Sequence, residues 1–344
     1  MHEFDYQKGR LFCEGVDLAE LASNHGTPLY VYSEKTIKDN FKSLSSALSD
    51  LDHKIAFAVK ANSNLSVLKL LNEIGADFDI VSGGELFRVL KAGGSADKCT
   101  FAGVGKTREE IEYSLEEGIY SFNVESEAEL RFINQIAKEK NVIAPVAVRV
   151  NPNVDAKTHK YISTGKSENK FGVNSKTFYE LVNYCKNSKN ISLQCLSVHI
   201  GSQILDHKPY EKMLKAVSNI IYKTNHKFKY VDLGGGMGIS YNDKIKKLNY
   251  KKYNSAIKNF LKKHDTKIIF EPGRSIIGNT GTLISKIIYI KDGGAKKFII
   301  LDAAMNDLMR PALYGAVHKI LPVCLLYTSP SPRDKRQSRM PSCA

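Results

Sequence analysis

Residues 54–81 read KIAFAVKANSNLSVLKLLNEIGADFDIV. An apolar run, Lys54–Val59, leads into a segment of helical spacing and then into a second apolar run, Phe78–Val81. Short runs rich in β-branched and aromatic residues read as strands. Outward from this unit the same alternation continues. Further strand candidates are Thr100–Gly103, Tyr120–Val124, Pro145–Val150, Leu196–Ile200, Tyr230–Leu233 and Ile268–Glu271. Between them lie amphipathic segments. Phe178, Leu181, Val182 and Cys185 fall at i, i+3, i+4, i+7 on one helix face. Thr107-x-x-Glu110 opens another helix as a capping box, and Ser82-x-x-Glu85 is a candidate for a third. Strands alternating with helices predict parallel pairing through right-handed crossovers. Eight such units over roughly 220 residues predict an α/β chain with a (β/α)8 TIM-type barrel. On strand count alone a doubly wound sheet stays open.

The flanks read differently. Leu283–Ile290 and Lys297–Leu301 look like consecutive strands around the turn Asp292-Gly293-Gly294, and Gly9–Cys13 offers another strand. They predict a β-rich second domain built from both chain ends. The expected division is 1–30 as an N-terminal contribution to that domain, 31–277 as the barrel, 278–323 as its C-terminal part, and 324–344 as a separate tail. The total of 344 residues suits about two domains. At 42% hydrophobic and 25% charged, the composition excludes a disordered, collagenous or coiled-coil chain. No run approaches the ~18 apolar residues of a membrane-spanning helix, and no signal peptide is visible, so no membrane partner is expected. Six cysteines without framework spacing point to a reducing compartment. The net charge of +14 invites a nucleic-acid reading. The lysines are scattered, without interleaved aromatics, and read instead as solvated surface.

Barrel chemistry sits at the C-terminal strand ends. The first strand ends in Lys60, where burial predicts a lowered pKa suited to a Schiff base with a carbonyl cofactor. The plain alternative is a lysine reaching solvent. The sixth leads into His199, a candidate base, ligand or flat ring for stacking, or simply a core histidine. No second ligand stands at metal spacing beside it, so no metal site is expected. The seventh runs into Gly234-Gly235-Gly236-Met237-Gly238, whose backbone N–H groups suit a phosphate. The dinucleotide fingerprint fails there. The eighth ends Glu271-Pro272-Gly273-Arg274, either a structural ion pair or a carboxylate for a ring nitrogen beside a carboxylate-binding arginine. Together these describe a pyridoxal 5'-phosphate site. In it, Lys60 forms the Schiff base, His199 packs on the ring, the glycine loop cradles the phosphate and Glu271 partners the pyridine nitrogen.

The same residues carry a family resemblance. FAVKAN (57–62), DIVSGGE (79–85), RVNPNVDAKTHKYISTG (149–165), NKFGV (169–173), HIGSQ (199–203), DLGGGMGI (232–239), EPGRS (271–275) and LDAAMNDLMRPALYGAVH (301–318) occur in order. The chain resembles the fold-type III pyridoxal phosphate-dependent decarboxylases, and among them the diaminopimelate decarboxylase family. The segments at 149–165 and 301–318 separate it from the ornithine and arginine decarboxylases. The resemblance implies decarboxylation of meso-diaminopimelate to L-lysine, with pyridoxal phosphate as cofactor. Lys60, His199 and Glu271 would be catalytic, and all three, with Gly234, Gly235, Gly236, Gly273 and Arg274, would bind the cofactor. Arg274, Arg310 and Tyr314 would hold the distal end of the substrate. It also implies a homodimer, in the cytoplasm or a plastid stroma. The alternatives are a decarboxylase of another basic amino acid and a non-catalytic barrel protein.

The resemblance stops after Val323. Family members continue with a Cys-Glu-Ser-Gly-Asp segment and a Gly-Ala-Tyr segment, whereas this chain reads CLLYTSPSPRDKRQSRMPSCA. These 21 residues are Pro/Ser/Arg-rich and lack strand alternation or helical period. The expectation is a foreign, disordered tail on a shortened reading frame. Cofactor binding and turnover would then be weakened.

Overall fold

The structure is a computed structural model describing residues 3–154, 171–241 and 248–325. It separates into two compact units, one of Met1–Lys35 with Gly281–Ala344 and one of Thr36–Thr280.

The larger unit carries the eight expected strands, each followed or preceded by a helix. In chain order they are α1 (Glu34–Ala47), β1 (His53–Ala58), α2 (Leu65–Glu73), β2 (Asp77–Ile80), α3 (Gly83–Lys91), β3 (Cys99–Phe101), α4 (Arg108–Glu116) and β4 (Ser121–Val124). Then come α5 (Glu127–Glu139), β5 (Ala144–Arg149), α6 (Ser175–Lys186), β6 (Ile191–Ser197), α7 (Lys208–Thr224), β7 (Tyr230–Asp232), α8 (Tyr250–Leu261) and β8 (Lys267–Phe270). The strands are parallel and close into a barrel, β8 pairing with β1 from Ile268–His53 to Phe270–Ile55. The doubly wound alternative is therefore excluded.

Alternation along each strand explains why this sequence closes. Phe57, Phe78, Phe101, Phe122, Val146, Leu196, Val231 and Phe270 join the core that the helices cover. Ala56, Ala147, Cys195, Tyr230 and Ile269 form a separate cluster. Strand side chains point alternately to opposite faces, so the second set lines the barrel interior. The inward positions that follow it are polar and buried: Asp79, Asn123, Ser197 and Asp232. That change from apolar to polar marks the C-terminal end as the chemical one.

Helix starts follow local chemistry. On α4 the Thr107 and Glu110 side chains complete both halves of a capping box. On α3 the expected box is only half formed. The Ser82 hydroxyl accepts the Glu85 N–H at 3.2 Å, while the Glu85 carboxylate accepts from Val81 at 2.7 Å.

The smaller unit contains the antiparallel strands Phe4–Gln7, Arg10–Cys13 and Val16–Asp17, and a Leu29–Tyr32 strand paired with Gly281–Ile284. Phe4, Leu11, Cys13, Leu18 and Ile284 form its core. The expected strand Leu283–Ile290 is broken at Ser285 and Lys286. There the Asp302 carboxylate accepts both the Ser285 hydroxyl and the Lys286 N–H at 2.8 Å, turning the chain before Ile287–Asp292 pairs with Lys297–Leu301. At the head of the expected tail, Cys324 bridges Arg10, and the Leu325 N–H donates to the Gly9 carbonyl at 2.6 Å. The rest of that tail, residues 326–344, lies outside the described residues, as does most of 149–165.

Candidate active site

Lys60 sits on a one-turn helix, Val59–Ala61, directly after β1. Its side chain is 55% exposed, yet its Nζ donates at 2.8 Å to Oδ2 of the fully buried Asp79 on β2. The lowered pKa read from the sequence is overturned. Desolvation does push the ammonium down, but the negative charges of Asp79 and Glu271 and the bond to Asp79 outweigh it, so the pKa is raised. The strand run revealed the apolar setting and hid the carboxylates arriving from other strands.

His199 lies two residues past β6. Its Nδ1 accepts the Gly235 N–H at 3.2 Å, so that nitrogen carries no proton. Burial, followed by the positive charges of Arg149 and Lys60, holds its pKa well below the usual histidine range. The imidazole is neutral, which suits a packing surface better than a cation.

The glycine loop after β7 is enclosed at three consecutive positions. Gly234 and Gly236 have φ of +64° and +83°. A Cβ at Gly234 would come 2.5 Å from His199 Nδ1, one at Gly235 2.0 Å from the Glu271 carbonyl oxygen, and one at Gly236 2.3 Å from the Gly201 carbonyl oxygen. No side chain can be added here without moving backbone. The loop is therefore built rather than merely flexible.

Asp232, at the end of β7, caps this loop from below. Its Oδ1 accepts the Gly234 N–H at 2.8 Å, and its Oδ2 accepts from Ser197 at 3.0 Å and Asn123 at 3.1 Å. Asn123 Nδ2 also reaches Glu271 Oε1 at 3.4 Å. Desolvation, then Asp232 and Asp79, push the Glu271 pKa well above the carboxylate range, and burial also raises that of Asp232. Asn123 Nδ2 thus stands against both acids, and both favour the neutral form.

Gly273 opens the short helix Arg274–Ile277, where an added Cβ would meet Ala61 and Ala58 at 3.1 and 3.2 Å. The Arg274 guanidinium donates to the Tyr241 hydroxyl at 2.6 Å. Its Nε and the Ser275 hydroxyl are buried without partners among the described residues. The ion pair between Glu271 and Arg274 left open by the sequence is not among the described salt bridges.

Sequence reasoning missed Asp79, Asn123, Asp232 and Arg149 as working residues. Arg149, at the end of β5, is held by Glu125 at 3.2 Å. Each was legible only as a polar residue at an inward position of a buried strand. Arg310 and Tyr314 belong to the smaller unit, four residues apart on the helix Arg310–Tyr314 and so neighbours on its surface. Among the described residues no group of three His, Cys, Asp or Glu could hold a metal ion.

These residues fit pyridoxal phosphate on their own chemistry. Lys60 supplies an amine for an aldehyde, Glu271 and Asp232 two neighbouring carboxyls of raised pKa for a ring nitrogen, and the side-chain-free loop with the buried Arg274 and Ser275 donors a place for a phosphate. Residues 34–278 match the pyridoxal-dependent decarboxylase, pyridoxal binding domain, and the chain belongs to that family. It is 45% identical over 322 residues to diaminopimelate decarboxylase of Aquifex aeolicus, covering 93% of this chain and 76% of that protein. The Vibrio cholerae enzyme of the same name is 44% identical, with 94% and 78% covered. Crystallised diaminopimelate decarboxylase from Helicobacter pylori, complexed with L-lysine, superposes at a TM-score of 0.84 with 41% identity, covering 88% of this chain and 78% of that one. Within the wider family the chain is thus a member of the diaminopimelate decarboxylases, carboxy-lyases of lysine biosynthesis.

Proposed function

We propose that the barrel mouth around Lys60 is where meso-diaminopimelate loses CO2 to give L-lysine. The observation that carries this is the Lys60–Asp79 contact at 2.8 Å beside the Asp232–Glu271 pair. When bound, pyridoxal phosphate supplies an aldehyde for the substrate amine and a protonated ring that withdraws electrons as CO2 leaves.

The chain's own residues do the rest. Lys60 Nζ would hold the cofactor by its aldehyde. Because its ammonium is favoured by Asp79 and Glu271, it must first give up a proton, and Asp79 Oδ2 is the adjacent acceptor. Glu271, backed by Asp232 and Asn123, would keep the proton on the ring nitrogen. Neutral His199 would offer its face to the ring. Gly234, Gly235 and Gly236, with Gly273 and Arg274, would hold the phosphate. Arg274, Arg310 and Tyr314 bind the distal carboxylate and amine, so that one end of a nearly symmetric substrate is presented.

We take the working assembly to be a homodimer in the cytoplasm. Its support is the half-exposed apolar hairpin Ile287–Leu301 and the five described cysteines, all free thiols.

Lys60→Ala tests the core of this reading. The variant should lose the long-wavelength absorbance of lysine-bound cofactor, a signal independent of turnover, together with CO2 release from meso-diaminopimelate. Retention of both would sink the assignment.

A further inference from the structure

Tyr210 lies on the first turn of α7, just after Pro209, and is completely buried. Its ring centroid is 4.4 Å from that of Tyr253 on α8. Its hydroxyl donates at 3.2 Å to the Gly235 carbonyl. The aromatic pair is core packing by position, but this one hydroxyl reaches inward to the glycine loop.

The bond fixes a particular peptide plane. The Gly235 N–H is spent on His199, and the Gly236 carbonyl accepts the Ile204 N–H at 2.8 Å. The peptide between Gly235 and Gly236 therefore has its carbonyl held from the helix layer by Tyr210. In a trans peptide the C=O and N–H point in opposite directions. Pinning the carbonyl towards α7 turns the Gly236 N–H away from it. Among the described residues that N–H has no hydrogen-bond partner. From the other side, Gln203 brackets the loop by bonding both the carbonyl and the N–H of Ile239 at 2.6 and 3.3 Å.

We propose that Tyr210 is a positioning residue for anion binding, its hydroxyl orienting the Gly235–Gly236 peptide so that the Gly236 N–H is presented to the phosphate of the cofactor. This rests on the reading that the loop cradles that phosphate. Donors fixed before the ligand arrives lose no reorganisation energy on binding, so removing the hydroxyl should weaken phosphate capture specifically. Loss of one such bond corresponds to about a five- to tenfold change in affinity.

The test compares pyridoxal 5'-phosphate with 5'-deoxypyridoxal, which keeps the ring and aldehyde but lacks the phosphate, by absorbance titration of the full chain. Tyr210→Phe should lose about five- to tenfold in affinity for the phosphorylated ligand, with the deoxy analogue bound as in the parent. Tyr253→Phe removes an adjacent buried hydroxyl that has no partner among the described residues, and should change neither. Equal losses for both ligands in Tyr210→Phe would reduce Tyr210 to a packing residue and overturn the proposal. So would an undiminished phosphate preference in that variant, or the same selective loss in Tyr253→Phe. A parent chain with no preference for the phosphorylated ligand would overturn the loop assignment itself. Independently of any variant, the Gly236 amide resonance of the parent should move on adding pyridoxal phosphate and not on adding the deoxy analogue. A Gly236 amide that pyridoxal phosphate leaves in place would overturn the proposal as well.

Discussion

Asp79, Asp232 and Glu271 set three carboxyl groups in one barrel mouth against Lys60 and Arg149. Burial leaves Glu271 and Asp232 with raised pKa values, and the negative charge of Asp79 adds to it in both. The sign of the stability effect follows. An acid whose folded pKa is raised contributes stability fully below its unfolded value, here 4.5 for Glu271, and that contribution is lost as pH rises towards the folded value. Glu271→Gln removes the cost of ionising, so without cofactor the variant should gain stability relative to the parent as pH rises from about 4.5, by at most ~1.4 kcal/mol per pH unit. Urea unfolding at several pH values reads this directly, and a parent-to-variant difference flat from about pH 5 to 8 would show that Glu271 titrates normally. Gly235→Ala has a different cause. Its Cβ would lie 2.0 Å from the Glu271 carbonyl, so the expected result is loss of cofactor absorbance and a lowered melting temperature. Lys60, His199 and Glu271 were legible because each stands just past an apolar run, where barrel chemistry is sought. Asn123 and Tyr210 were not. A buried asparagine and a helix tyrosine carry no signal until the fold shows which carbonyl or carboxylate they face.

Among the elements, the barrel strands were the most legible because parallel strands buried on both faces are nearly continuous apolar runs. The sixth shows the limit. Residues 191–195 read ISLQC, with Ser192 and Gln194 interrupting the apolar pattern, so only Leu196 onward stood out. In the structure β6 begins at Ile191, because pairing with β5 extends from Ala144 and absorbs a register shift between Leu193 and Cys195. A backbone ladder can recruit residues whose side chains would not announce it. Helix starts were legible where the cap is local, as on α4. Thr107 caps α4 through Glu110 N–H at 3.3 Å, and Glu110 returns to the Thr107 N–H at 3.0 Å. Glu110 also accepts the Gly83 N–H at 2.8 Å, tying the start of α4 to that of α3. Thr107→Ala should therefore cost about 1 kcal/mol, the usual loss for an N-cap. Glu110→Ala should cost more than Thr107→Ala, since it removes two backbone partners. Chemical denaturation midpoints decide the order, and equal costs would mean that the Gly83 contact contributes nothing.

For the molecule as a whole, the smaller unit is where fold and sequence leave the most apolar surface uncovered. Ile287, Ile288, Tyr289 and Ile290 on one strand, and Phe298 and Ile299 on the next, are each 50–59% exposed. Successive residues point to opposite faces of a strand, so both faces of this two-stranded ribbon are apolar and open. An isolated hairpin is marginal in water, and a contiguous apolar patch on it favours association. The larger unit lacks this difficulty, since its closed sheet has no edges. Self-association should therefore be driven by the smaller unit and depend on concentration. Replacing Ile288 and Ile290 together by lysine places two charges on this exposed strand, and sedimentation velocity should show a shift towards monomer. The barrel's melting transition should be unchanged, because neither residue belongs to its core. If association comes instead from the barrel surface, the double variant will sediment like the parent at every concentration, and the hairpin will have no part in it. A dye that fluoresces in apolar sites supplies the second reading. Its signal should fall in the double variant in proportion to the loss of associated species, since the same side chains provide both.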